Sequence, residues 1–279
     1  MKVLWVADYS TKEHKGGAQQ TNAVMIKAGR KLGYQIDVAL GGCKIPTTKG
    51  YDVIILNNIT SWEKEDIEKL VKTGKCIRYE HDQWVAEHYP ELYKEVKHNI
   101  FLSPLHKKTV EKKVGYKIKD STLVPSPIQS IFKPLGEKEP NSVAYIGHLC
   151  DMKGTPALVQ YIKDNPRYKF YIAGFGAMVD DIKDLENVEF LGEVELKEVV
   201  KYYQKCEYLY HKPEWKEPFG RTVLEGYLCG CSLLVNSNVG AISWDWDFSD
   251  YDLIKKKVQS QSNFWNIIEN EIQTSGNME

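Results

Sequence analysis

The stretch YLYHKPEWKEPFGRTVLEGYLCGCSLLVNS, residues 208–237, decides the fold that this sequence predicts. It begins with a short apolar strand, passes through a polar segment broken by prolines into a helical pattern, and ends after Gly230 with a second apolar strand. This order defines a βαβ unit, in which both strands run parallel. Ligands of such sheets bind at the carboxyl ends of the strands, so function is first sought in the polar segment.

The same alternation of apolar runs and helical patterns extends along the rest of the chain. Further strands are predicted at 3–7, 35–40, 52–57, 75–80, 99–103, 121–125, 142–147, 169–174 and 188–192. Short apolar strands of this kind are typical of parallel sheets that are covered by helices on both faces. The sequence therefore predicts an α/β fold.

Prolines divide the chain into two halves. Four prolines between positions 125 and 140 interrupt the periodic pattern, which resumes at 142. We expect an N-terminal Rossmann-like domain at 1–128, a linker at 129–141, a C-terminal Rossmann-like domain at 142–258, and a closing helix with a tail at 259–279. Two doubly wound domains of this kind would face each other across a cleft.

Composition narrows the classes of partner and compartment. The 279 residues include 37 basic and 38 acidic side chains. This nearly neutral balance does not favour binding to a polyanion such as nucleic acid. No apolar run approaches the length of roughly 20 residues that a membrane span needs. The chain starts with a strand pattern instead of a signal peptide, and its six cysteines form no CxxC pair. A cytoplasmic protein with reduced thiols is expected.

Two strand-to-helix loops carry residues suited to a phosphate. Gly16 and Gly17 precede the first helix and would offer bare backbone amides, although a plain tight loop explains them equally well. Lys153 follows a strand that ends at Gly147 and precedes a helix opening at Thr155, where its charge could neutralise a phosphate. Lysines are also common on such loops, so neither pattern is specific alone.

The third loop is the one inside the opening stretch. Pro218 disfavours helix at Glu217, so the helix is predicted to begin near Phe219 or Gly220, with Glu217 in the loop before it. Glu225 then lies one to two turns inside, where a carboxylate can bind two hydroxyls of a ribose. The alternative is that both carboxylates only complement the helix dipole or face solvent.

Read in order, these segments resemble a known enzyme family. YIGHLCDMKG, KFYIAGFG, VEFLGEV and EPFGRTVLEG are similar to the C-terminal half of retaining glycosyltransferases with the GT-B fold, especially glycosyltransferase family four. In the first half, GGAQQTN, FLSPLHKK and VPSPIQSIFKP resemble the glycine-rich loop, a strand end and the linker of that family. The resemblance runs from residue 1 to about 241.

The resemblance implies an activity. It is retaining transfer of a hexose from a nucleoside-diphosphate sugar, UDP- or GDP-linked, to a hydroxyl of an unidentified acceptor, which is a glycan, a lipid-linked molecule or another alcohol. Neither a metal ion nor a separate cofactor is implied. A peripheral membrane contact stays open, and a nucleic-acid partner is disfavoured without being excluded.

The resemblance also assigns residues. It makes Glu217, Lys153 and His81 catalytic: Glu217 near the sugar hydroxyls, Lys153 on the leaving diphosphate, and His81 facing the reacting sugar unless it is an ordinary loop histidine. The positions implied to bind the donor are Gly16, Gly17, Gly147, His148, Lys153, Gly174, Pro218, Phe219, Gly220, Arg221, Thr222 and Glu225.

Two departures from the family pattern keep alternatives open. His148 stands where the family has an arginine, and AISWDWDFSDYD replaces the usual GGxxE loop after Gly240. One alternative is a non-catalytic member that binds a nucleotide sugar or glycan. Another is a glycosyltransferase that acts on modified nucleic-acid bases, which the lysine-rich run HKKTVEKKVGYKIK weakly supports.

Overall fold

The computed structural model of the chain describes residues 1–10, 12–13, 16–45 and 47–276, with side chains as far as 273. Parts of the glycine-rich loop at 10–22 therefore lie outside the described residues. The chain divides into two compact units. The first contains Met1–Pro127 and Lys257–Glu279, and the second contains Ile128–Lys256.

The first unit contains a parallel sheet of six strands over the described residues, in the order β2-β1-β3-β4-β5-β6. The strands are β1 Lys2–Ala7, β2 Gln35–Leu40, β3 Val53–Leu56, β4 Cys76–Tyr79, β5 His98–Phe101 and β6 Ser121–Leu123. The helices that connect them are α1 Gly17–Lys31, α2 Lys64–Val71, α3 Val85–His88, α4 Leu92–Glu95 and α5 Pro104–Val114.

The second unit has its own parallel sheet, with the order β11-β10-β7-β8-β9 among the described strands. The strands are β7 Glu139–His148, β8 Lys169–Phe175, β9 Val188–Gly192, β10 Cys206–His211 and β11 Ser232–Val235. The helices are α6 Thr155–Asp164, α7 Leu196–Lys205 and α8 Arg221–Leu228, with 3-10 turns at Asp151–Lys153 and Gly240–Ser243. Helix α9 Tyr251–Gln259 begins in this unit and ends in the part of the chain that belongs to the first unit.

The last helix, α10 Ser262–Gly276, returns to the first unit. Its residues Phe264 and Trp265 are fully buried against Trp5 and Tyr34, and the Trp265 Nε1–H donates to the Met25 carbonyl oxygen at 3.1 Å. Burial of two large aromatic rings is a substantial source of stability for this unit. Helix α10 therefore belongs to the same unit as the first strand, β1.

The predicted α/β fold with two parallel sheets is confirmed, and each predicted strand has a counterpart. Several boundaries shift by one to three residues, and two of these shifts are informative. The helix after Pro218 begins at Arg221, because Gly220 adopts the left-handed backbone conformation (φ 80°, ψ 63°), which cannot continue a right-handed helix. Strand β7 begins at Glu139, inside the predicted linker. Within the described residues, no helix is long and apolar enough to cross a membrane.

Candidate active site

The candidate site of the second unit forms where β7, β8 and β10 end. All strands of this sheet are parallel, so their carboxyl ends, at His148, Phe175 and His211, lie on one edge. The loop after β7 carries Lys153, and the loop after β10 carries Glu217. This is the edge at which the sequence predicted ligand binding.

Backbone contacts bring these two loops together. The amides of Glu214 and Trp215 donate to the Met152 carbonyl oxygen at 3.0 and 3.3 Å, so the loop after β10 lies against the turn that carries Lys153. The ammonium of Lys153 consequently reaches both the Glu217 carboxylate and the ring of Trp215, whose centroid is 5.3 Å away. The sequence predicted both charged residues but not their direct contact.

The carboxylate of Glu217 is nearly enclosed and has a cationic or hydrogen-bonding partner on each oxygen. Its residue is 4% exposed. Oε1 forms the ion pair with Lys153, and Oε2 accepts from the Nε2–H of His211 at 2.8 Å. An isolated buried carboxylate would be costly, so these partners are what allow Glu217 to stay charged.

The surroundings of Glu217 change its pKa in two opposing ways. Burial alone would raise the pKa of its carboxyl group, because desolvation disfavours the charged form. The charge and hydrogen bond of His211, joined by those of Lys153, outweigh burial and lower the pKa to about 2. Glu217 is therefore ionised at neutral pH.

The backbone around Glu217 is fixed by the segment that follows β11. Glu217 N–H donates to the Asn238 carbonyl oxygen at 2.8 Å, and Gly240 N–H donates to the Glu217 carbonyl oxygen at 3.1 Å. The side-chain amide of Asn238 also donates to the carbonyl oxygens of Pro213 and Glu214 at 2.9 and 3.1 Å. The loop before α8 is thus held at both ends, as a preorganised site requires.

The residues between Glu217 and α8 form the predicted turn. Pro218 and Phe219 are buried, and the Phe219 carbonyl oxygen accepts from Ala241 N–H at 2.6 Å. A Cβ atom added to Gly220 would lie 2.8 Å from Glu217 Oε2, so glycine is required here by its conformation and by the close approach of the carboxylate. Arg221 and Thr222, half-buried, open α8.

Glu225 lies in the middle of α8 and is buried like Glu217, but its electrostatic environment differs. Its Oε1 accepts from Arg221 Nη2 at 3.2 Å, one helical turn earlier. Burial raises the pKa of Glu225, and the charge of Arg221 only partly offsets that effect. The two motif glutamates therefore have pKa values shifted in opposite directions, which is a frequent property of functional carboxylate pairs.

The remaining predicted donor-binding residues of this unit lie on β7 and β8. Gly147 and Gly174 are paired in register, and a Cβ atom on Gly174 would lie 1.8 Å from the Gly147 carbonyl oxygen, which explains the glycine. His148 is exposed, and its ring lies 4.9 Å from that of the exposed Phe175 at an interplanar angle of 31°. The structure thus brings His148 to the edge that carries Lys153.

Three predicted residues belong to the first unit. Gly16 precedes α1 with ordinary extended backbone angles and Gly17 begins the helix, so the backbone conformation of Gly16 does not require glycine. His81 follows β4 and is largely buried, with its ring 4.4 Å from that of Tyr79. These positions are compatible with the predicted roles, and the roles of Gly16, Gly17 and His81 remain predictions.

A buried network supports the loop that contains His81. Arg78 and Glu80 form a fully buried bidentate ion pair at 2.8 Å, and the hydroxyl of Tyr93 donates to Glu80 at 2.8 Å. His106 Nε2 lies 2.9 Å from the carbonyl oxygen of Asp82, next to His81. Burial and the charge of Glu80 raise the pKa of Asp82 to about 6.

Sequence reasoning missed His211 and Trp215. Both residues lie in the stretch that decides the fold, but the sequence contains no motif that marks either one. His211 is the last residue of β10 and Trp215 lies in the loop, so only the folded loop brings them to Glu217 and Lys153. The signal that was available is their position between the end of a parallel strand and the predicted site.

Two grooves lie away from this charged cluster. A groove of about 560 Å³ in the first unit lies beside α1, β1 and β2. A groove of about 600 Å³ in the second unit lies beside β11 and the stacked rings of Trp244 and Trp246. Among the described residues, no cluster of three His, Cys, Asp or Glu side chains could hold a metal ion. The candidate site is thus defined by its charged cluster.

Comparisons with known proteins identify the class of fold. The chain is similar to Anabaena HepE in complex with UDP-glucose, at 15% identity and a TM-score of 0.72, covering 100% of both chains. It is also similar to sucrose-phosphate synthase from Thermosynechococcus elongatus, at 14% identity and 0.69, covering 98% of this chain and 94% of that one. It is similar as well to a glycosyltransferase from Rickettsia africae, at 12% identity and a TM-score of 0.65, covering 99% of this chain and 93% of that one. The chain has the GT-B glycosyltransferase fold.

The family match is confined to one part of the chain. Residues 127–243 match the model of the family Glycosyl transferases group 1. This segment contains Lys153, Glu217 and Glu225. The match confirms that the motifs resemble those of a glycosyltransferase family. The comparison with curated proteins finds no match.

Proposed function

We propose that the protein is a retaining glycosyltransferase that moves a hexose from a UDP- or GDP-sugar to an acceptor hydroxyl without a metal ion. The observation that carries the proposal is the buried Glu217 carboxylate paired with Lys153 at the carboxyl edge of the sheet, inside the segment that matches the family. The acceptor, a glycan, a lipid-linked molecule or another alcohol, is not specified by this observation.

The cluster suits the charge changes of the reaction. As the bond between the anomeric carbon and the diphosphate breaks, negative charge builds on the leaving group, and Lys153 is the nearby cation that would offset it. The start of α8 is the positive end of its helix dipole, which favours a negatively charged phosphate nearby. Glu217, ionised, would accept hydrogen bonds from the hydroxyls of the donor sugar, and Glu225 from those of the ribose.

Separate observations support the proposed donor and the proposed location in the cell. HepE, similar in fold, has been crystallised with UDP and with UDP-glucose, so UDP-sugars are the first donors to test. A cytoplasmic location is proposed because all six cysteines are unpaired, which fits a reducing compartment.

Release of nucleoside diphosphate from a panel of UDP-, GDP- and ADP-sugars tests the proposal. The wild type should hydrolyse one donor slowly in the absence of an acceptor, and Glu217→Ala should abolish the release. For a donor that hydrolyses, proton NMR of the freshly released sugar should show the anomer of the donor, because the transfer is retaining. The inverted anomer would contradict the mechanism, and a panel that stays inert after acceptors of each class have been added would contradict the enzymatic function.

Binding without turnover would instead favour a non-catalytic member of the family. A nucleotide sugar at about 100 times its Kd should then stabilise the protein by roughly 2.7 kcal/mol, measured by thermal unfolding. Donor binding with no release, even after acceptors of each class have been added, would support that second reading.

A further inference from the structure

His211 lies beneath the candidate site and has no role in the motifs that define it. It is the last residue of β10, which pairs with β7 on one side and β11 on the other. It is 4% exposed, and its Nε2–H donates to Glu217 Oε2 at 2.8 Å. A histidine in this position is held rigidly by the strand and can hold a carboxylate in turn.

The two oxygens of Glu217 are held in different ways. Oε2 is bound to His211, whose side chain is enclosed at the end of a strand with neighbours on both sides. Oε1 is bound to Lys153, whose side chain is 26% exposed and extends from a 3-10 turn on a flexible stem. One partner is therefore fixed, and the other is able to move.

Lys153 has two competing anionic partners in the proposed reaction. Its ammonium pairs with the Glu217 carboxylate in this structure, and in the proposed reaction the leaving diphosphate requires the same cation. When a donor draws Lys153 away, the buried Glu217 carboxylate loses one of its two partners. A buried charge that loses its partners is expensive, and the carboxylate would then take up a proton or move.

We propose that His211 is the positioning residue that keeps Glu217 charged and in place when Lys153 turns to the diphosphate of the donor. Glu217 Oε1, released by Lys153, then faces the donor sugar as a hydrogen-bond acceptor of fixed orientation. This inference rests on the proposed function and adds to it a residue that acts through Glu217.

The charged and titratable groups near this pair in the structure or in the chain lie on three elements. They are Lys153 on the turn after β7, Tyr145 on β7, which interacts electrostatically with Glu217, and Tyr210 beside His211 on β10. Burial raises the pKa of Tyr145 above its ordinary value, and that of Tyr210 to about 12, so both stay neutral near pH 7. Changes of activity with pH in this range therefore do not arise from the two tyrosines.

The test compares two substitutions of His211 with a control on the same strand. His211→Leu removes the hydrogen bond, and His211→Gln keeps a side-chain N–H that can reach Oε2. Tyr208→Phe is the control, because Tyr208 is half-buried on β10 and lies outside the cluster. All variants are first compared with wild type by thermal unfolding, so that only folded proteins enter the kinetic analysis.

For a reacting donor, His211→Leu should lower kcat about 100-fold with a change in donor KM of less than about threefold, because Glu217 is misplaced when the donor is bound. The acid limb of its kcat profile should move to higher pH. His211→Gln should recover at least about tenfold of the loss, and Tyr208→Phe should match wild type. Equal kcat and equal pH profiles in folded His211→Leu and wild type would overturn the proposal.

A second readout keeps the proposal separate from the proposed function. The carboxyl carbon of Glu217 is followed by NMR in ¹³C-glutamate-labelled protein and identified by its loss in Glu217→Gln. With inorganic pyrophosphate added to draw Lys153 away, Glu217 should remain ionised between about pH 5 and 8 in wild type and titrate in that range in His211→Leu. If both proteins titrate alike, His211 has no such role, even if no donor reacts and the proposed function fails.

Discussion

At the scale of single residues, Glu217 and Glu225 show how partners decide the charge of a buried carboxylate. The pKa of Glu217 is lowered to about 2, and that of Glu225 is raised above its ordinary value of 4.5. A lowered folded-state pKa stabilises the fold above the unfolded-state pKa, so the contribution of Glu217 is lost as the pH falls from about 4.5 to 2. The pKa of Glu225 is raised, so its contribution to stability is present at low pH and is lost as the pH rises through the raised value.

Asp82 allows a direct test of this electrostatic reasoning in the first unit. Its pKa is raised from 3.8 to about 6, first by burial and then by the charge of Glu80. The folded state therefore binds more protons than the unfolded state in this range, and stability falls as the pH rises towards 6. Asp82→Asn should increase the free energy of unfolding at pH 7 by about 1–2 kcal/mol, because it removes a partly buried charge.

Urea unfolding at several pH values checks this prediction. The difference between Asp82→Asn and wild type should shrink as the pH falls from about 6 to below 3.8, where Asp82 is protonated in both states. His106, whose pKa is lowered mainly by burial to about 4, contributes the opposite trend, and because the charge of Asp82 raises the His106 pKa, this contribution is larger in Asp82→Asn than in wild type. A difference that is zero at pH 7, or independent of pH, would show that Asp82 is not perturbed.

The sequence predicted the charged residues of the second unit but not their arrangement. Lys153 and Glu217 were recognisable because each follows a predicted strand and precedes a predicted helix. His211 was not, because its importance depends on the path by which the loop after β10 returns Glu217 to the strand end. That path is set by bonds to Asn238 and Gly240, far along the chain.

At the scale of elements, the start of α8 links backbone conformation to the site. Gly220 has φ 80°, and an added Cβ atom would lie 2.7 Å from Val239 Cγ1 and 2.8 Å from Glu217 Oε2. Gly220→Ala should lower the free energy of unfolding by at least about 1 kcal/mol and kcat by about 100-fold, because it strains the turn and displaces Glu217. Diphosphate release and thermal unfolding measure the two effects.

Gly192 provides the matched control. It has φ 66° at the end of β9, and no atom lies within 4 Å of an added Cβ atom. Gly192→Ala should therefore destabilise the protein by about 1 kcal/mol while leaving kcat unchanged. If both substitutions affected kcat equally, the link between Gly220 and the orientation of Glu217 would be wrong.

The pattern of strands was predictable because each buried strand is a short apolar run bounded by polar or glycine residues. The beginning of α8 was predicted one to two residues too early, because the sequence does not show that Gly220 takes the left-handed conformation. Similarly, β7 extends back to Glu139 through pairing with β10, which is information from another part of the chain.

At the scale of the whole molecule, the chain ends in the unit in which it began. The closing helix was predicted from aromatic and aliphatic residues at helical spacing, and α10 buries Trp265 within the first unit. Its assignment to that unit could not be predicted, since the spacing of apolar residues indicates a buried face without indicating what covers it. The contacts with Trp5, Tyr34 and Met25 provide the answer.

Trp265→Ala should destabilise the first unit by about 3–5 kcal/mol, because it leaves a cavity and removes the hydrogen bond to the Met25 carbonyl oxygen. Amide hydrogen exchange of β1 measures the loss as a lower free energy of opening. Trp84→Ala is the control: Trp84 is 44% exposed, and its removal should cost less than about 1 kcal/mol. Equal protection of β1 in both variants would mean that α10 does not stabilise the unit.

If the cluster of Glu217 and Lys153 performs sugar transfer, two lysines of the second unit should differ sharply in their effect on the rate. Lys153 pairs with Glu217, whereas Lys212 lies over the rings of Tyr161 and Tyr210. With the donor that the panel identifies, Lys153→Ala should lower kcat for diphosphate release by at least about 100-fold, and Lys212→Ala by less than about threefold. Equal rates in wild type and folded Lys153→Ala would contradict the account.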